Sequence, residues 1–336
     1  VPALRPELEG FLGRRYPGAV VSEAGGDASA RRYWRLALPD GSTRIVMDYG
    51  HPFEGETDDL RLGRLFREAG LRVAGLFEVV PEAGCLVVED LGSRTLESVV
   101  EELSGRPEGD AEMERLYERA VDLALEIARR GTGVLARSGA GSFPALDADR
   151  FRFEMNFFVE HYVRGIAGLE RLPSGFEEAL GRLAELAARP PHVLCHRDLH
   201  SRNLMVLADG GLAMVDIQDA RWGPLGYDLA SLLRDAYVDI EESLVGRLVE
   251  RFRAGLEDPP GPEPFRSRFD LIAIERMVKM LGTFGYQIGR LGRTRYAKAM
   301  ERTIRRLERL LPLCAEAREV LEAFRAARLF AGSPAN

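Results

Sequence analysis

The hydrophobic pattern changes period once along the chain, near residue 90, and that change limits the folds open to it. Before that point the apolar residues come in short runs rich in Val, Ile, Tyr and Trp. "AVVSEAGGDASARRYWRLALPDGSTRIVMDYG" reads as strand, Gly-rich turn, strand, PDG turn, strand. "RVAGLFEVVPEAGCLVVEDLG" adds two strands joined by the turn PEAG. Between them, "TDDLRLGRLFREAGL" has helical spacing at Leu60, Leu65, Phe66 and Ala69, with Gly70 as a C-cap, and residues 2–16 form a further short helix. After "EDLG" the period becomes helical, over 95–103, 111–130, 149–166, 174–188, 226–237, 239–254, 267–290 and 294–330. Only "HVLCH", "NLMVL" and "LAMVDI" read as strands there. The expectation is an α+β chain of two lobes: a small antiparallel-sheet lobe over 1–90, a hinge at 89–92, and a larger, mostly helical lobe over 91–336.

Composition narrows the function. The chain has 336 residues, 46% of them hydrophobic, enough to bury a large core in each lobe. A net charge of −7 opposes a nucleic-acid surface that works by neutralising phosphates, while leaving room for a nucleotide in a local site. No apolar run approaches the ~18 residues of a membrane span. The three cysteines are scattered and form no CxxC pair, and "VPALRPELEG" has no basic-then-apolar pattern, so a cytoplasmic location is expected. Nothing in the sequence speaks to oligomeric state.

One stretch carries chemistry. "HVLCHRDLHSRNLMVL", with "LAMVDIQDA" soon after, places Asp198 past a buried strand, Asn203 five residues on, and Asp216 at the end of the next apolar run. A carboxylate at Asp198 can orient an alcohol and accept its proton. Asn203 and Asp216 supply oxygen ligands for Mg²⁺, which takes its remaining ligands from water and substrate phosphates. The octapeptide "HRDLHSRN" fits the H-R-D-x-x-x-x-N catalytic loop of protein kinases. His196 and His200 stand four apart, but without the Glu of HExxH and not within a helix, so a zinc site is not expected.

"HRDLHSRNLM…MVDIQDARWGPLGYDLASLL" resembles the aminoglycoside phosphotransferase-like branch of the protein-kinase-like fold. Within that branch, "GDAS", "RRYWR", "IVMD", "VVEDLG" and "YDLASL" are most similar to bacterial N-acetylmuramate/N-acetylglucosamine anomeric kinases. The resemblance spans residues 20–240 and implies a two-lobed protein-kinase-like fold using ATP and Mg²⁺. It makes Asp198 the catalytic base and Asn203 and Asp216 the metal ligands. It places Gly25, Gly26, Asp27 and Ser29 over the nucleotide phosphates, and the backbone near Glu89 and Leu91 on the adenine edge. Asp228 in "YDLA" ties down the catalytic loop. The third strand, "RIVMDYG", carries Asp48 where the family at large has a lysine, a feature shared with the sugar-kinase subgroup; Arg31 and Arg32 are the candidates to replace its charge, strand alternation pointing one of them inward.

For the acceptor, "DRFRFEMNFFVEHYV" offers Glu154, Glu160 and His161, and "DARWGPLGYD" offers Asp219, Arg221 and Trp222. The expected activity is transfer of the γ-phosphoryl of ATP to the anomeric hydroxyl of an amino sugar. The same fold acting on an aminoglycoside, choline or homoserine is the alternative. The absent lysine also motivates a nucleotide-binding pseudokinase, which the intact Asp198, Asn203 and Asp216 oppose.

Overall fold

The computed structural model describes residues 4–25, 31–138 and 143–330. Gly26, Asp27 and Ser29, expected over the phosphates, lie outside them. Helix α1 (Pro6–Arg15) opens on a proline, which suits a first helical position, and has Glu7 and Glu9 in its first turn facing the positive end of the helix dipole. Strands β1 (Val20–Ala24), β2 (Arg32–Ala37) and β3 (Thr43–Asp48) follow, then α2 (Asp58–Glu68), β4 (Leu76–Val80) and β5 (Cys85–Glu89). The strands form one antiparallel sheet in the order β1-β2-β3-β5-β4.

Strand alternation divides the faces of that sheet. Trp34, Leu36, Val46, Cys85 and Val87 pack against Leu8 and Leu12 of α1. Tyr33, Arg35, Ile45, Met47, Leu86 and Val88 face the opposite way, into a cleft. This changes the reading of the third strand. Asp48 shares the face of Val46, is buried, and accepts from Arg5 Nη2 at 2.7 Å and Gly50 N at 2.9 Å. Met47, not Asp48, points into the cleft, so Asp48 fastens α1 to the sheet and is turned away from any ligand there.

The second part is helical: α3 (Leu96–Leu103), α4 (Gly109–Glu126), α5 (Thr132–Ser138), α6 (Ala148–Phe158) and α7 (Phe176–Ala187). Thr95 and Asp147 cap α3 and α6 through the amides of Ser98 and Arg150. Two small ribbons follow, β6 (His192–Cys195) with β9 (Arg221–Pro224), and β7 (Leu204–Val206) with β8 (Leu212–Met214). A turn is expected from sequence at Gly223–Pro224; pairing with β6 holds the segment extended instead. Then come α8 (Tyr227–Leu233), α9 (Glu242–Ala254), α10 (Pro262–Gly285), α11 (Ala297–Leu310) and α12 (Arg318–Ala326). The stretch 294–330, expected as one helical run, breaks at Pro312, which can donate no amide to a continuing helix.

Helix α10 is the spine of this lobe, packing on α6, α7, α8 and α11. A Cβ at Gly282 would sit 2.8 Å from the backbone nitrogen of Phe158, so glycine lets α10 cross α6 at backbone contact. The lobes meet through the segment after Glu89 and through the backbone bond from the Met214 amide to the Arg72 carbonyl at 2.9 Å. No helix among the described residues is long and apolar enough to cross a membrane.

Candidate active site

The cleft between the sheet and the β7–β8 ribbon opens into a cavity of about 1150 Å³ that Asp198, Asn203 and Asp216 all line. Each is placed by a specific local device. Asp198 follows Arg197, whose backbone is in the left-handed region at φ 80°. A non-glycine residue adopts that conformation only where its surroundings impose it. Here Asp228, at the start of α8, accepts from the amides of both His196 and Arg197, at 2.7 and 2.9 Å, while Arg276 Nη1 donates to the Arg197 carbonyl at 2.6 Å. The expected fastening role of Asp228 thus has a geometry: one buried carboxylate holds two successive amides. Burial raises its pKa, and His196 with the two amides opposes the rise.

Asn203 sits at the end of a short 3-10 turn, and its Nδ2 donates to the Asp198 carbonyl at 2.9 Å. That bond fixes the amide so that its oxygen is left to accept or to ligate. Asp216 is also left-handed, at φ 62°, two residues past the end of β8, and is exposed to the cavity with Gln218 Nε2 on its Oδ1 at 2.7 Å. Among the described residues no three His, Cys, Asp or Glu side chains converge as a ready-made metal site. Asn203 and Asp216 nevertheless fit Mg²⁺, which needs few protein oxygens when phosphates and water complete its octahedron.

Asp198 is surrounded by cations. Lys279 Nζ lies 3.3 Å and Arg276 Nη2 3.6 Å from its Oδ1. Burial pushes the Asp198 carboxyl up, but Lys279, Arg197 and Arg276 outweigh it and hold the group well below the usual carboxylate range. Such a carboxylate is a weak base suited to aiming a hydroxyl. Beneath it, Arg197 pairs with Glu154 and Asp219, both at 3.2 Å.

The nucleotide end is less uniform. Gly25, Glu89 and Leu91 line the cavity. The Glu89 amide is already given to the Gly75 carbonyl at 2.7 Å, and its side chain bonds Arg72, which leaves its carbonyl and the Leu91 amide for an adenine edge. Arg31 and Arg32 part company. Arg31 Nη1 is 3.0 Å from Asp59 of α2, whose other oxygen accepts from Tyr49, and Asp59 lines the cavity. Arg32 lies over the Trp34 ring at 4.4 Å, on the face packed against α1.

Most of the expected acceptor residues stand elsewhere. Asp219 lines the cavity. Glu154 is buried beneath the catalytic loop and serves Arg197. Glu160 pairs with Arg164 and Arg290, and His161 packs edge-on against Phe157 and Tyr286; neither lines the cavity. Trp222 is engaged through its backbone with Pro144 and Leu146, Arg221 bonds the Ala220 carbonyl, and both also lie outside it. The cavity wall beyond Asp198 comes instead from Tyr237, Lys279, Thr283, Phe284, Gln287 and Tyr296. Helix α10 is apolar around much of its circumference, so no polar face marked it as functional. Lys279, one of only two lysines in the chain, was the available signal.

Comparison with known proteins agrees with this geometry. A model of the phosphotransferase enzyme family (APH) matches residues 20–266. An N-acetylmuramate/N-acetylglucosamine kinase of Pseudomonas aeruginosa is 31% identical over 300 residues, spanning 87% of this chain and 84% of that one. The protein of the same name from Neisseria meningitidis serogroup B is 30% identical over 315 residues, 90% of each chain. Among solved structures, a Plasmodium vivax ethanolamine kinase superposes with TM-score 0.60 at 11% identity, covering 89% of this chain and 84% of that one. The ADP-bound aminoglycoside phosphotransferase APH(2'')-Ib gives 0.55 at 12%, covering 89% and 97%. At those identities the structural likeness speaks for the fold alone. With the family model spanning most of its length and the catalytic loop assembled as described, the chain belongs to the phosphotransferase enzyme family, on the protein-kinase-like fold.

Proposed function

We propose that the protein transfers the γ-phosphoryl group of ATP to the anomeric C1 hydroxyl of an amino sugar such as N-acetylglucosamine or N-acetylmuramate, giving the sugar 1-phosphate. The observation that carries the reading is the convergence of Asp198, Asn203 and Asp216 on one cavity, with Asn203 bonded to the Asp198 backbone. The names of the relatives support the acceptor. Asp198 orients the hydroxyl and takes its proton, while Asn203 and Asp216 hold the metal. Bound Mg²⁺ supplies charge neutralisation at the phosphate oxygens. Arg31, anchored by Asp59, brings charge to the phosphates in place of a third-strand lysine. Gly25 and the turn after it cover them, and Glu89 and Leu91 meet the adenine. The reaction belongs to the cytoplasm, where ATP is supplied.

Lys279, 3.3 Å from Asp198, opposes a cationic amine placed next to the reacting hydroxyl, which favours a neutral or anionic sugar at that point over an aminoglycoside or choline. The test is an ADP-release assay with Mg-ATP over amino sugars, aminoglycosides and amino alcohols. Turnover confined to the amino sugars is the expected result. Turnover confined to cationic acceptors would replace this reading, and nucleotide binding with no turnover on any acceptor would make the protein a pseudokinase.

A further inference from the structure

We propose that Lys279 of α10 is a catalytic residue: its ammonium bridges the Asp198 carboxylate and the phosphoryl group in transfer. The inference rests on the phosphotransferase reading above and adds to it a group that neither the catalytic-loop motif nor the metal-binding pair contains.

The argument begins with what else could bear on the reacting atoms. Each arginine near Asp198 is committed elsewhere. Arg197 is held by Glu154 and Asp219. Arg276 donates to the Arg197 carbonyl and lies over the Tyr227 ring at 4.6 Å. Arg202 is bidentate on Glu97 and lies over the Tyr237 ring at 3.6 Å. Lys279 differs from all three. Among the described residues its Nζ makes one hydrogen bond, to Asp198 Oδ1 at 3.3 Å, and the residue lines the cavity. An ammonium carries three N–H donors, so two remain for oxygens arriving in the cavity. Its place is the junction of the two halves, with Asn203 and Asp216 on one side and Thr283, Phe284 and Gln287 on the other.

A purely structural role is the competing explanation, with Lys279 neutralising the buried Glu275 one turn earlier on α10. Both carboxylate oxygens of Glu275 are buried without a hydrogen-bond partner among the described residues, so Lys279 does not bond them. Burial also pushes the Glu275 carboxyl above the usual carboxylate range, which weakens any charge pairing with Lys279 there. The composition points the same way. Of 46 Lys and Arg residues only Lys279 and Lys298 are lysines, so guanidinium is this chain's ordinary cation. A compact ammonium with three rotatable donors can serve a carboxylate and a phosphoryl oxygen together. The close crossing at Gly282 fixes α10 against α6 just beyond Lys279, so the ammonium is carried on a rigid element.

In the step itself the acceptor oxygen bonds to the γ-phosphorus as the bond from that phosphorus to the bridging oxygen breaks. The bonding pair leaves on ADP, and the hydroxyl proton passes to Asp198. Burial lowers the Lys279 pKa and the adjacent Asp198 opposes the fall; as the ammonium paired with that carboxylate, Lys279 donates hydrogen bonds to Asp198 and to a non-bridging oxygen of the group in flight, where fixed positive charge lowers the barrier.

The test uses Lys279→Met and Lys279→Cys in the full chain. The three native cysteines are buried, so 2-bromoethylamine can be directed at the introduced thiol, rebuilding an ammonium of nearly lysine length. Lys279→Met is expected to lower kcat on N-acetylglucosamine about 10²–10³-fold with the KM for Mg-ATP within about threefold of wild type. Aminoethylation of Lys279→Cys is expected to restore most of the rate, and iodoacetamide to restore none. Independently of any sugar, aluminium fluoride should tighten Mg-ADP binding to the wild type and lose that effect in Lys279→Met. A kcat within about fivefold of wild type, or equal tightening by aluminium fluoride in both proteins, overturns the proposal. A wild type that phosphorylates no sugar but shows the fluoride effect only with Lys279 in place sinks the substrate reading and sustains this one.

Discussion

Asp198 shows most directly how residue chemistry becomes function. Lys279, Arg197 and Arg276 hold its pKa low against the cost of burial, its carbonyl accepts from Asn203, and the two amides before it are held by Asp228. Asp198→Asn keeps shape and loses the proton acceptor, so kcat should fall about 10²–10⁴-fold while Mg-ADP affinity, measured by calorimetry, stays within about twofold. Unchanged turnover would remove Asp198 from the mechanism. Arg31→Met should raise the KM for Mg-ATP about tenfold, the worth of one charge-assisted hydrogen bond, with Arg32→Met near wild type; the reverse ranking would move the phosphate cation to Arg32. Glu275 carries a pH prediction. Burial, helped by Glu154, raises its pKa well above the ordinary value, and Lys279, Arg276 and Arg197 oppose the rise. The folded state therefore holds a proton that the unfolded state releases, and the associated stability, present in acid, is lost as pH rises towards the folded pKa. Glu275→Gln removes that loss, so its melting temperature should gain on wild type between about pH 5 and about pH 8; a constant or shrinking gap would mean the carboxyl ionises as easily when folded.

Elements explain what could and could not be read from the sequence. Period-2 and period-3.6 runs made the sheet, α2 and most of the C-terminal helices legible, because one buried face imposes a regular apolar spacing. The ribbon strand Arg221–Pro224 was not legible: it is four residues long, ends in Gly and Pro, and is held by pairing with β6, a partner about 30 residues away. The meeting of Asp198, Asn203 and Asp216 on one cavity was readable because one loop and the short ribbon after it carry them all. The acceptor wall was not, since it joins the segment after α8 to α10 and to Tyr296, which only the fold brings together. Asp48 stands in the third strand as expected, but the face it takes was not legible: alternation turns it onto Arg5 and α1. Asp48→Ala should cost about 2 kcal/mol in urea unfolding, the worth of hydrogen bonds to a charged group, and leave the KM for Mg-ATP unchanged. A tenfold rise in that KM without loss of stability would return Asp48 to the nucleotide.

The whole molecule is a sheet and a helical body closing on one cavity whose two ends differ in chemistry. Gly25, Glu89, Leu91 and the apolar underside of the sheet make one end, and the aromatic and cationic surface around α10 makes the other, with Asp198 between them. On the proposed function, the flat, partly apolar nucleotide takes the first end, and the acceptor meets rings, amides and the Lys279 ammonium at the second. The central claim is that this cavity joins ATP to the anomeric oxygen of an amino sugar. Heteronuclear NMR of the product formed from ATP, Mg²⁺ and N-acetylglucosamine tests it most directly. The account predicts a phosphorus coupled to the anomeric proton; phosphate on any other sugar oxygen, or an unmodified sugar, would contradict it.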